Sequence, residues 1–262
     1  MIQTVQAVQF HRFMGTGRTT PALCGCEDED GQAAGDFVVK LRGGIERGTT
    51  GLACELIASR LAAYFEIATP TPKIVAIDEE FATLVGLRHA ERSERMRNSI
   101  GLNFGSQLFS GVAIWPIEKA IPEAMWASAL AVFAFDALIQ NPDRKFSPNP
   151  NLFSQGDDLI VFDHELAFSF LSMIFSSETP WLLDREVYLP DHVFFRRLKG
   201  KDLDTSRFIS KLAALPETIL ASIMAELPTE WNNSSVARIK GHLSVMVAHA
   251  LQFEEEIQRR LA

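Results

Sequence analysis

The sequence lacks long apolar runs, an excess of basic residues and paired cysteine motifs. No stretch of about 18 apolar residues occurs, so we expect no transmembrane helix. The formal net charge of −8 argues against general nucleic-acid binding, which requires a basic surface. The first residues, Met1–Val5, lack the basic region and apolar core of a signal peptide, which predicts a cytoplasmic protein. The cysteines, which are Cys24, Cys26 and Cys54, have no metal-site spacing and are predicted to be reduced.

The chain has 262 residues, enough for a large core, and its two parts differ in pattern. The first part is typical of strands with one helix, which is predicted after an N-cap at Thr49 or Thr50. The predicted strands cover residues 5–13, 22–26, 36–41, 73–78 and 81–87, and the helix covers residues 51–65. A polar stretch, residues 88–99, is the predicted link. Helices are predicted beyond it, over residues 123–140, 204–215, 217–227 and 234–260.

Carboxylate and amide side chains surround a predicted β-hairpin. Two short apolar runs flank a Gly/Asp turn within residues 152–162, which is typical of paired strands. Because a hairpin brings its two ends together, Asp143 and Asn149 or Asn151 before it can meet Asp163 after it. These oxygen ligands suit Mg²⁺, which keeps phosphates and waters as its other ligands. The sequence therefore predicts a magnesium site at the open end of the hairpin.

A lysine and a glutamate stand in apolar settings in the first part of the chain. Lys40 lies inside a predicted strand, where it either guards a sheet edge or reaches for phosphate. Glu55 falls on the apolar stripe of the predicted helix, and a carboxylate that points inward is costly unless it is paired. Lys40 is the nearest candidate partner, and a half-exposed Glu55 at the edge of the stripe is the alternative.

A glycine-containing loop lies between the first two predicted strands. It places Gly15 and Gly17 among small hydroxyl residues, so that backbone N–H groups can approach an anion closely. The GxG pattern also occurs in ordinary turns. By itself it does not identify a phosphate-binding loop.

Protein kinases use the same kinds of parts: an Asp that orients the attacking hydroxyl, an Asn on metal and a later Asp on metal. In combination, the motifs of this chain resemble those of the HipA-like kinases. These are bacterial relatives of the HipA toxin kinase, distantly akin to phosphoinositide and protein kinases. The motifs that carry the resemblance are Gly17–Pro21, Val38–Lys40, Glu55, Asn141–Arg144, Asn149–Leu152 and Phe162–Glu165.

The resemblance implies a fold and an activity. We expect an α+β, bilobal protein-kinase-like fold in a single HipA-like kinase domain of residues 1–262. Its parts are an N-lobe of about residues 1–87, a linker of about 88–99 and a mainly helical C-lobe of about 100–262. The implied activity is that of an ATP- and Mg²⁺-dependent phosphotransferase, in this family a serine/threonine protein kinase that transfers the γ-phosphate to a hydroxyl.

The resemblance also assigns roles to residues. By it, Asp143 orients the acceptor hydroxyl, Asp163 binds Mg²⁺, and Lys40 holds the α/β-phosphates while it pairs with Glu55. The implied nucleotide-binding residues are Gly15, Gly17, Arg18, Thr19, Thr20 and Lys40. We expect Asp136, in the preceding helix, to be a buried support for the loop that carries Asp143.

The metal-binding asparagine departs from the family pattern. It usually stands five residues after the catalytic Asp, and that position is Pro148 here. Either a one-residue bulge lets Asn149 bind the metal, or Asn151 binds it. His164, beside Asp163, is interpreted either as a support of that carboxylate or as plain packing.

Two other functions stay open at this point. One is a catalytically weak or inactive relative that binds nucleotide or acts through a partner. The other is a small-molecule kinase, although the lack of a basic membrane patch makes a lipid substrate a poor candidate. The family resemblance favours a protein substrate and allows an antitoxin-type partner, and no membrane association is expected. The adenine contacts are expected around Leu84–Leu87.

Overall fold

The structure, a computed structural model, describes residues 2–15, 19–173 and 177–262. Its strands are β1 (Thr4–Phe13), β2 (Ala22–Glu27), β3 (Ala33–Lys40), β4 (Pro72–Ile77), β5 (Gly101–Gln107), β6 (Ala113–Ile114), β7 (Leu152–Gln155) and β8 (Asp158–Val161). Its α-helices are α1 (Thr49–Tyr64), α2 (Glu79–Arg88), α3 (Ser93–Arg97), α4 (Trp126–Leu138), α5 (Phe195–Leu198), α6 (Ser206–Ala213), α7 (Glu217–Ala225), α8 (Ser234–Ala248) and α9 (Ala250–Leu261). The N-terminal region is rich in strands and the C-terminal part is helical, so the predicted α+β class is confirmed.

The first five strands form a closed barrel in the order β1-β2-β3-β5-β4. β1 and β4 run parallel and close the barrel, whereas the other neighbouring strands are antiparallel. Buried apolar side chains, among them Val5, Phe37, Val39 and Val75, form the core of this region. The predicted hairpin of β2 and β3 is present, and it places Lys40 at the end of β3.

Helix α1 is the predicted helix that carries Glu55. Most of its residues from Gly51 to Ala62 are buried, because the helix packs on β5 on one side and on α7 and α8 on the other. A helix that is apolar nearly all round is typical of such a buried position. The N-cap residue is Gly48 and no side chain caps the helix, so the predicted cap at Thr49 or Thr50 is wrong.

The segment predicted as a strand over residues 81–87 is helix α2. Asp78 is its N-cap, and the Asp78 carboxylate accepts a hydrogen bond of 2.7 Å from the backbone N–H of Phe81. Ala82 and Val85 are buried beside Phe81, a helical spacing that buries one face. The strand prediction was wrong because a short apolar run fits both the strand period of two residues and the helix period of 3.6 residues. The N-cap at Asp78 favours the helix.

The predicted link at residues 88–99 also needs correction. These residues form the end of α2 and helix α3, which pack on each other and on the barrel region. The next strand, β5, then pairs with β3 and β4 inside the barrel. The polar sequence of 88–99 reflects an exposed helical surface, and the chain leaves the barrel only after Gln107.

The C-terminal part contains the predicted hairpin, formed by β7 and β8, with β6 as a third strand. The apolar helix α4, which follows a short 3-10 turn, packs behind β8. The predicted helix over 234–260 is divided into α8 and α9 at His249, whose ring stacks on Trp181 with centroids 3.6 Å apart. In the described part of the chain no single helix has the length and apolar content to cross a membrane. Among the described helices, α6 and α7 reach that length and apolar content only when they are taken together, and the chain bends by 78° between them.

A close approach of strands at Gly105 makes a first prediction. A Cβ atom at this position would lie 2.5 Å from Cγ2 of Val75, a buried, β-branched side chain with little freedom to move. We expect Gly105→Ala to lower the free energy of unfolding by about 1–3 kcal/mol, measured by urea denaturation. Gly241→Ala, on α8, is the control because no atom lies within 4 Å of its added Cβ. Equal unfolding midpoints for the two variants would contradict the clash.

Candidate active site

Lys40 is the centre of the charge cluster between the barrel and the hairpin. Its side chain is buried, and Nζ contacts the carboxylates of Glu55 and Asp163. Nζ also lies 3.2 Å from Oε2 of Glu165. The Lys40–Glu55 ion pair anticipated from the sequence is therefore present, and Glu55 is fully buried rather than half-exposed.

The electrostatics of this cluster follow from burial and from Lys40. Burial alone lowers the pKa of Lys40, but the carboxylates of Asp163, Glu55 and Glu165 outweigh it and raise that pKa. Burial raises the pKa of Glu55 to about 7 against the attraction of Lys40. Burial also acts to raise the pKa of Asp163, but the charge of Lys40 outweighs it and lowers that pKa. The charge of Lys40 is therefore stabilised by these carboxylates, and the charge of Asp163 is stabilised by Lys40.

Asp143 and Asn151 meet at the open end of the hairpin. Nδ2 of Asn151 donates a hydrogen bond of 2.8 Å to Oδ2 of Asp143. Burial, followed by the nearby charge of Asp163, raises the pKa of Asp143. Asn151 and Asp163 both adopt left-handed backbone conformations, with φ of 54° and 59°. Such conformations are uncommon outside glycine and often mark functional sites, where the surrounding structure holds them in place.

The two candidate asparagines differ in their positions. Asn151 is buried against Asp143, whereas Asn149 is exposed, and both line the cavity that also contains Asp163. The structure thus brings Asn151 into contact with Asp143. The roles of Asn149 and Asn151 as metal ligands stay predictions.

Arg144, next to Asp143, is a buried ion that holds this loop to the hairpin. Its Nε donates to Oδ2 of Asp136 over 2.6 Å, and its guanidinium also donates to the backbone carbonyls of Asn151 and Phe162. Arg144 is 1% exposed, so its guanidinium is enclosed by the protein. These contacts fix the loop that presents Asp143 relative to both ends of the hairpin.

Asp136 is the buried support that the sequence predicted. It accepts hydrogen bonds from Arg144, from Nδ2 of Asn141 at 2.9 Å and from Nε2 of His192 at 3.0 Å. Burial acts to raise the pKa of Asp136, but Arg144 and His192 outweigh it and lower that pKa to about 2. His192 was not found by sequence reasoning, because nothing in its local pattern indicates a partner 56 residues away.

His164 belongs to the buried support and not to the charged cluster. Its Nε2 lies 3.0 Å from Nη2 of Arg144, which can only donate, so the proton of the ring is on Nδ1. Nδ1 has no hydrogen-bond partner, and the nearest carboxylate oxygen is Oε2 of Glu55 at 4.0 Å. Burial and the charge of Arg144 lower the pKa of His164 to about 3, so the ring is neutral.

A cavity of about 310 Å³ opens between the barrel and the hairpin, beside Lys40 and Asp163. Its walls include apolar side chains from both regions: Val38, Phe104, Phe109, Ile114, Phe153 and Phe162. The rings of Phe153, on β7, and of Phe162, directly after β8, stack with centroids 4.1 Å apart. A partly apolar cavity with charged groups at one end suits a ligand with a flat ring and a charged tail.

The glycine-containing loop borders this cavity through Met14 and Pro21, which share a backbone hydrogen bond of 2.8 Å. Of the residues predicted to bind nucleotide there, Gly17 and Arg18 lie outside the described residues. Gly15 is exposed at the end of the described segment. The predictions for the loop as a phosphate-binding element therefore stay predictions.

Thr19 and Thr20 are the next described residues of the loop. Thr19 is buried, and its carbonyl accepts a hydrogen bond of 2.6 Å from Nη1 of Arg95. Thr20 has a φ of 45° and is half-buried. Neither residue lines the cavity in this structure, and their predicted contact with nucleotide stays a prediction.

The segment expected to contact adenine lies away from this cavity. Leu84 and Leu87 lie on α2 with more than half of each side chain exposed, and neither lines the cavity. The cavity is instead bordered by Gln107, Leu108 and Phe109, where the chain leaves the barrel.

The carboxylates at the charged end fit a divalent metal. Oxygen atoms of Glu55, Asp163 and Glu165 lie within 4.8 Å of one another, and the three acids outnumber Lys40. Glu55 and Asp163 both line the cavity, and Asp163 is the more accessible of these two carboxylates because 30% of its side chain is exposed whereas Glu55 is buried. Oxygen donors that face a space with room for phosphates and waters suit Mg²⁺. Glu165 was part of a sequence motif but was not predicted as a site residue.

Similarity to known proteins agrees with this geometry. The model of a protein family described as HipA-like kinase matches residues 7–256. No curated protein matches the chain. Among solved structures, the Helicobacter pylori proinflammatory kinase CtkA matches with a TM-score of 0.52 and 10% sequence identity, over 97% of this chain and 99% of that one. At this identity the likeness shows the fold alone, and the fold is therefore kinase-like.

Proposed function

The chain belongs to the HipA-like kinase family and is therefore an ATP-dependent kinase, and from this premise we propose that it phosphorylates a serine or threonine hydroxyl of a protein. The observation that carries the proposal is the meeting of two distant parts of the sequence at one cavity. Lys40 from the barrel contacts Asp163 at the hairpin, and Asn151 contacts Asp143 beside it. Phosphoryl transfer depends mainly on positioning and on charge stabilisation, and this arrangement offers both.

Asp143 is the residue that acts on the acceptor in this proposal. The acceptor oxygen forms a bond to the γ-phosphorus as the bond from that phosphorus to the bridging oxygen of ADP breaks, and Asp143 accepts the hydroxyl proton. Burial and the charge of Asp163 raise the pKa of Asp143 toward the working pH of the protein. A carboxylate whose pKa lies nearer the working pH is a better proton acceptor in catalysis. Asn151 fixes the rotamer of Asp143 through its hydrogen bond to Oδ2.

Lys40 and Asp163 act on the nucleotide in this proposal. Lys40, held in place by the buried Glu55, would bind the α/β-phosphates, and Asp163 with Asn149 or Asn151 would hold Mg²⁺. Mg²⁺ bound there offsets the charge of the phosphate oxygens. Gln107–Phe109 and the apolar walls of the cavity receive the adenine ring.

The remaining expectations enter the proposal unchanged, except for the position of the link. We propose a single kinase domain with two lobes that meet after Gln107. A protein substrate, an antitoxin-type partner and a cytoplasmic location stay predictions.

Asp143→Asn tests the proposal directly. The amide keeps the shape of the side chain but cannot take the proton, so we expect ATP-dependent phosphorylation in a bacterial lysate to fall by about 10²–10⁴-fold. Labelled ATP with Mg²⁺, followed by mass spectrometry of the labelled species, measures the product and identifies the acceptor. Asp157→Asn, at the exposed turn of the same hairpin, is the matched control and should retain activity.

The other outcomes separate the alternatives. If ATP raises the thermal unfolding temperature of the wild-type protein and no label is transferred, the chain is a nucleotide-binding relative without activity. If label appears only in small molecules, the protein is a small-molecule kinase. Equal activity of Asp143→Asn and the wild-type protein would contradict the role of Asp143.

A further inference from the structure

A second cleft, of about 300 Å³, lies beside Asp143 and shares no lining residue with the cavity described above. Its lining residues are Lys145, Phe146, Pro190, Asp191, His192, Val193 and Arg196. Lys145 joins the cleft to Asp143, because its Nζ lies 3.7 Å from Oδ1 of Asp143. The carboxylate of Asp143 therefore faces two sides, with Oδ2 on Asn151 at the first cavity and Oδ1 toward Lys145 at the second cleft.

The floor of this cleft is held by backbone pairing. The N–H of Phe146 donates to the carbonyl of Asp191 over 2.7 Å, and the N–H of Val193 donates to the carbonyl of Arg144 over 3.0 Å. His192, between these two bonds, is anchored on buried Asp136. The cleft is thus attached to the same support that positions Asp143, which favours a fixed distance between the two.

The charges on the cleft differ from those of the chain as a whole, whose net charge is −8. Lys145 is 57% exposed, and Arg196 is exposed and makes no hydrogen bond or ion pair with any residue that the structure describes. The opposing charge in the lining is Asp191, and burial lowers the pKa of His192 so that it is neutral. Lys145 pairs with Asp143, so Arg196 is the cation of the lining that has no carboxylate partner among the described residues.

Phe146 adds an apolar surface to the rim. Its side chain is 44% exposed, and the guanidinium of Arg197 lies 5.2 Å from its ring centroid. Arg197 is itself held by backbone carbonyls, including that of Val193 at 2.9 Å. An exposed ring that is supported from behind can contact an apolar side chain of a partner.

We propose that this cleft binds the acceptor protein and selects a hydroxyl residue with acidic neighbours in its sequence. The inference rests on the proposed function. Lys145 lies next to Asp143 and also lines the cleft that contains Arg196. A protein segment that places its hydroxyl at Oδ1 of Asp143 therefore puts a neighbouring residue over Lys145 and Arg196. A carboxylate there pairs with the free charge of Arg196, and an adjacent apolar side chain packs on Phe146.

A peptide fits these features better than a nucleic acid or a membrane surface does. Those two partners bind through broad fields of positive charge, whereas this cleft offers Lys145 and Arg196 beside a carboxylate and an aromatic ring. Interfaces with proteins typically combine such a ring with an arginine. The acceptor is therefore identified as a protein segment with acidic flanks.

The test is a set of serine peptides that differ only in their flanking residues, which are neutral, glutamate or lysine. For the wild-type protein we expect kcat/KM for the glutamate peptides to exceed that for the lysine peptides by about fivefold, because an exposed ion pair contributes modestly. Arg196→Glu should reverse this preference, and Asp191→Asn should strengthen it. Arg88→Glu is the matched control, since Arg88 is an exposed arginine on α2 outside both clefts.

The outcomes separate this inference from the function on which it rests. Equal rates for all flanks, a preference for lysine, or an unchanged preference in Arg196→Glu would overturn the acidic specificity while kinase activity stands. ATP turnover without phosphorylation of any peptide would overturn it as well. Absence of ATP turnover in the wild-type protein would instead refute the proposed function.

Discussion

Replacement of Asp163 by asparagine is expected to reduce ATP turnover by about 10³-fold. This is the size of the rate loss that follows removal of a principal charge-stabilising group from an active site. Asp163 contacts Lys40, and it is the more exposed of the two carboxylates that line the cavity. Asparagine keeps the size of the side chain and tolerates the left-handed backbone at this position, where φ is 59°. The loss therefore reports the missing charge rather than a rearranged loop. Conversion of ATP to ADP at saturating ATP and Mg²⁺ measures it.

Two controls keep this result interpretable. Asp158→Asn changes an exposed carboxylate of the same hairpin and should leave turnover unchanged. Thermal unfolding of Asp163→Asn should remain cooperative, since Lys40 keeps its contacts with Glu55 and Glu165. Turnover near the wild-type rate in a folded Asp163→Asn protein would remove Asp163 from the reaction.

Asp136→Asn is expected to lower the free energy of unfolding by about 3–5 kcal/mol. The substitution removes the counter-charge of Arg144, and both side chains are fully buried. A buried charge that loses its partner is strongly destabilising, because no water replaces the lost interaction. Asn141 and His192 lose a charged acceptor at the same time. Urea denaturation at neutral pH measures the difference.

The pH dependence identifies the cause of that destabilisation. The pKa of Asp136 is lowered to about 2 in the folded protein, so its contribution is complete above the pKa of an unfolded aspartate and is lost as the pH falls toward 2. The difference in stability between Asp136→Asn and the wild-type protein should therefore shrink as the pH falls below about 4. Asp184→Asn, which changes an exposed ion pair with Arg259, should have little effect at any pH. A destabilisation of equal size at every pH would indicate a packing defect instead.

Sequence reasoning found the charged residues that meet at the first cavity because each stood out from its local pattern. Lys40 interrupts a strand, and Glu55 interrupts an apolar helix, so each needed a partner. Asp143, Asn151 and Asp163 flank two short apolar runs whose turn residues indicated a hairpin. The local periods identified Lys40 and Glu55 as residues that need a partner, and the resemblance to the HipA-like kinases grouped them with the residues of the hairpin.

The features that sequence reasoning missed depend on partners far away in the chain. Arg144 looks like a surface residue because its neighbours are polar, and its burial is set by Asp136, His164 and His192 together. The sequence analysis placed residues 101–107 in the second part of the chain, because only the pairing of β5 with β3 and β4 shows that this strand belongs to the barrel. The second cleft was also missed, since residues 145–146 and 190–196 meet only in the folded protein.

Helix α1 packs against both the barrel and the C-terminal helices, and this packing limits the ways in which the kinase activity can be regulated. Arg60 on this helix forms a bidentate pair with Glu226 in the C-terminal part, at 2.5 Å and 2.9 Å. Many regulated enzymes of this architecture switch off by rotating the equivalent helix outward and separating its glutamate from the lysine. In this protein that rotation would separate the buried apolar side chains of α1 from α7 and α8 and expose them to solvent. We therefore expect an inhibitor to block the cavity beside Lys40 or the cleft that binds the acceptor protein, and to leave the Lys40–Glu55 pair intact.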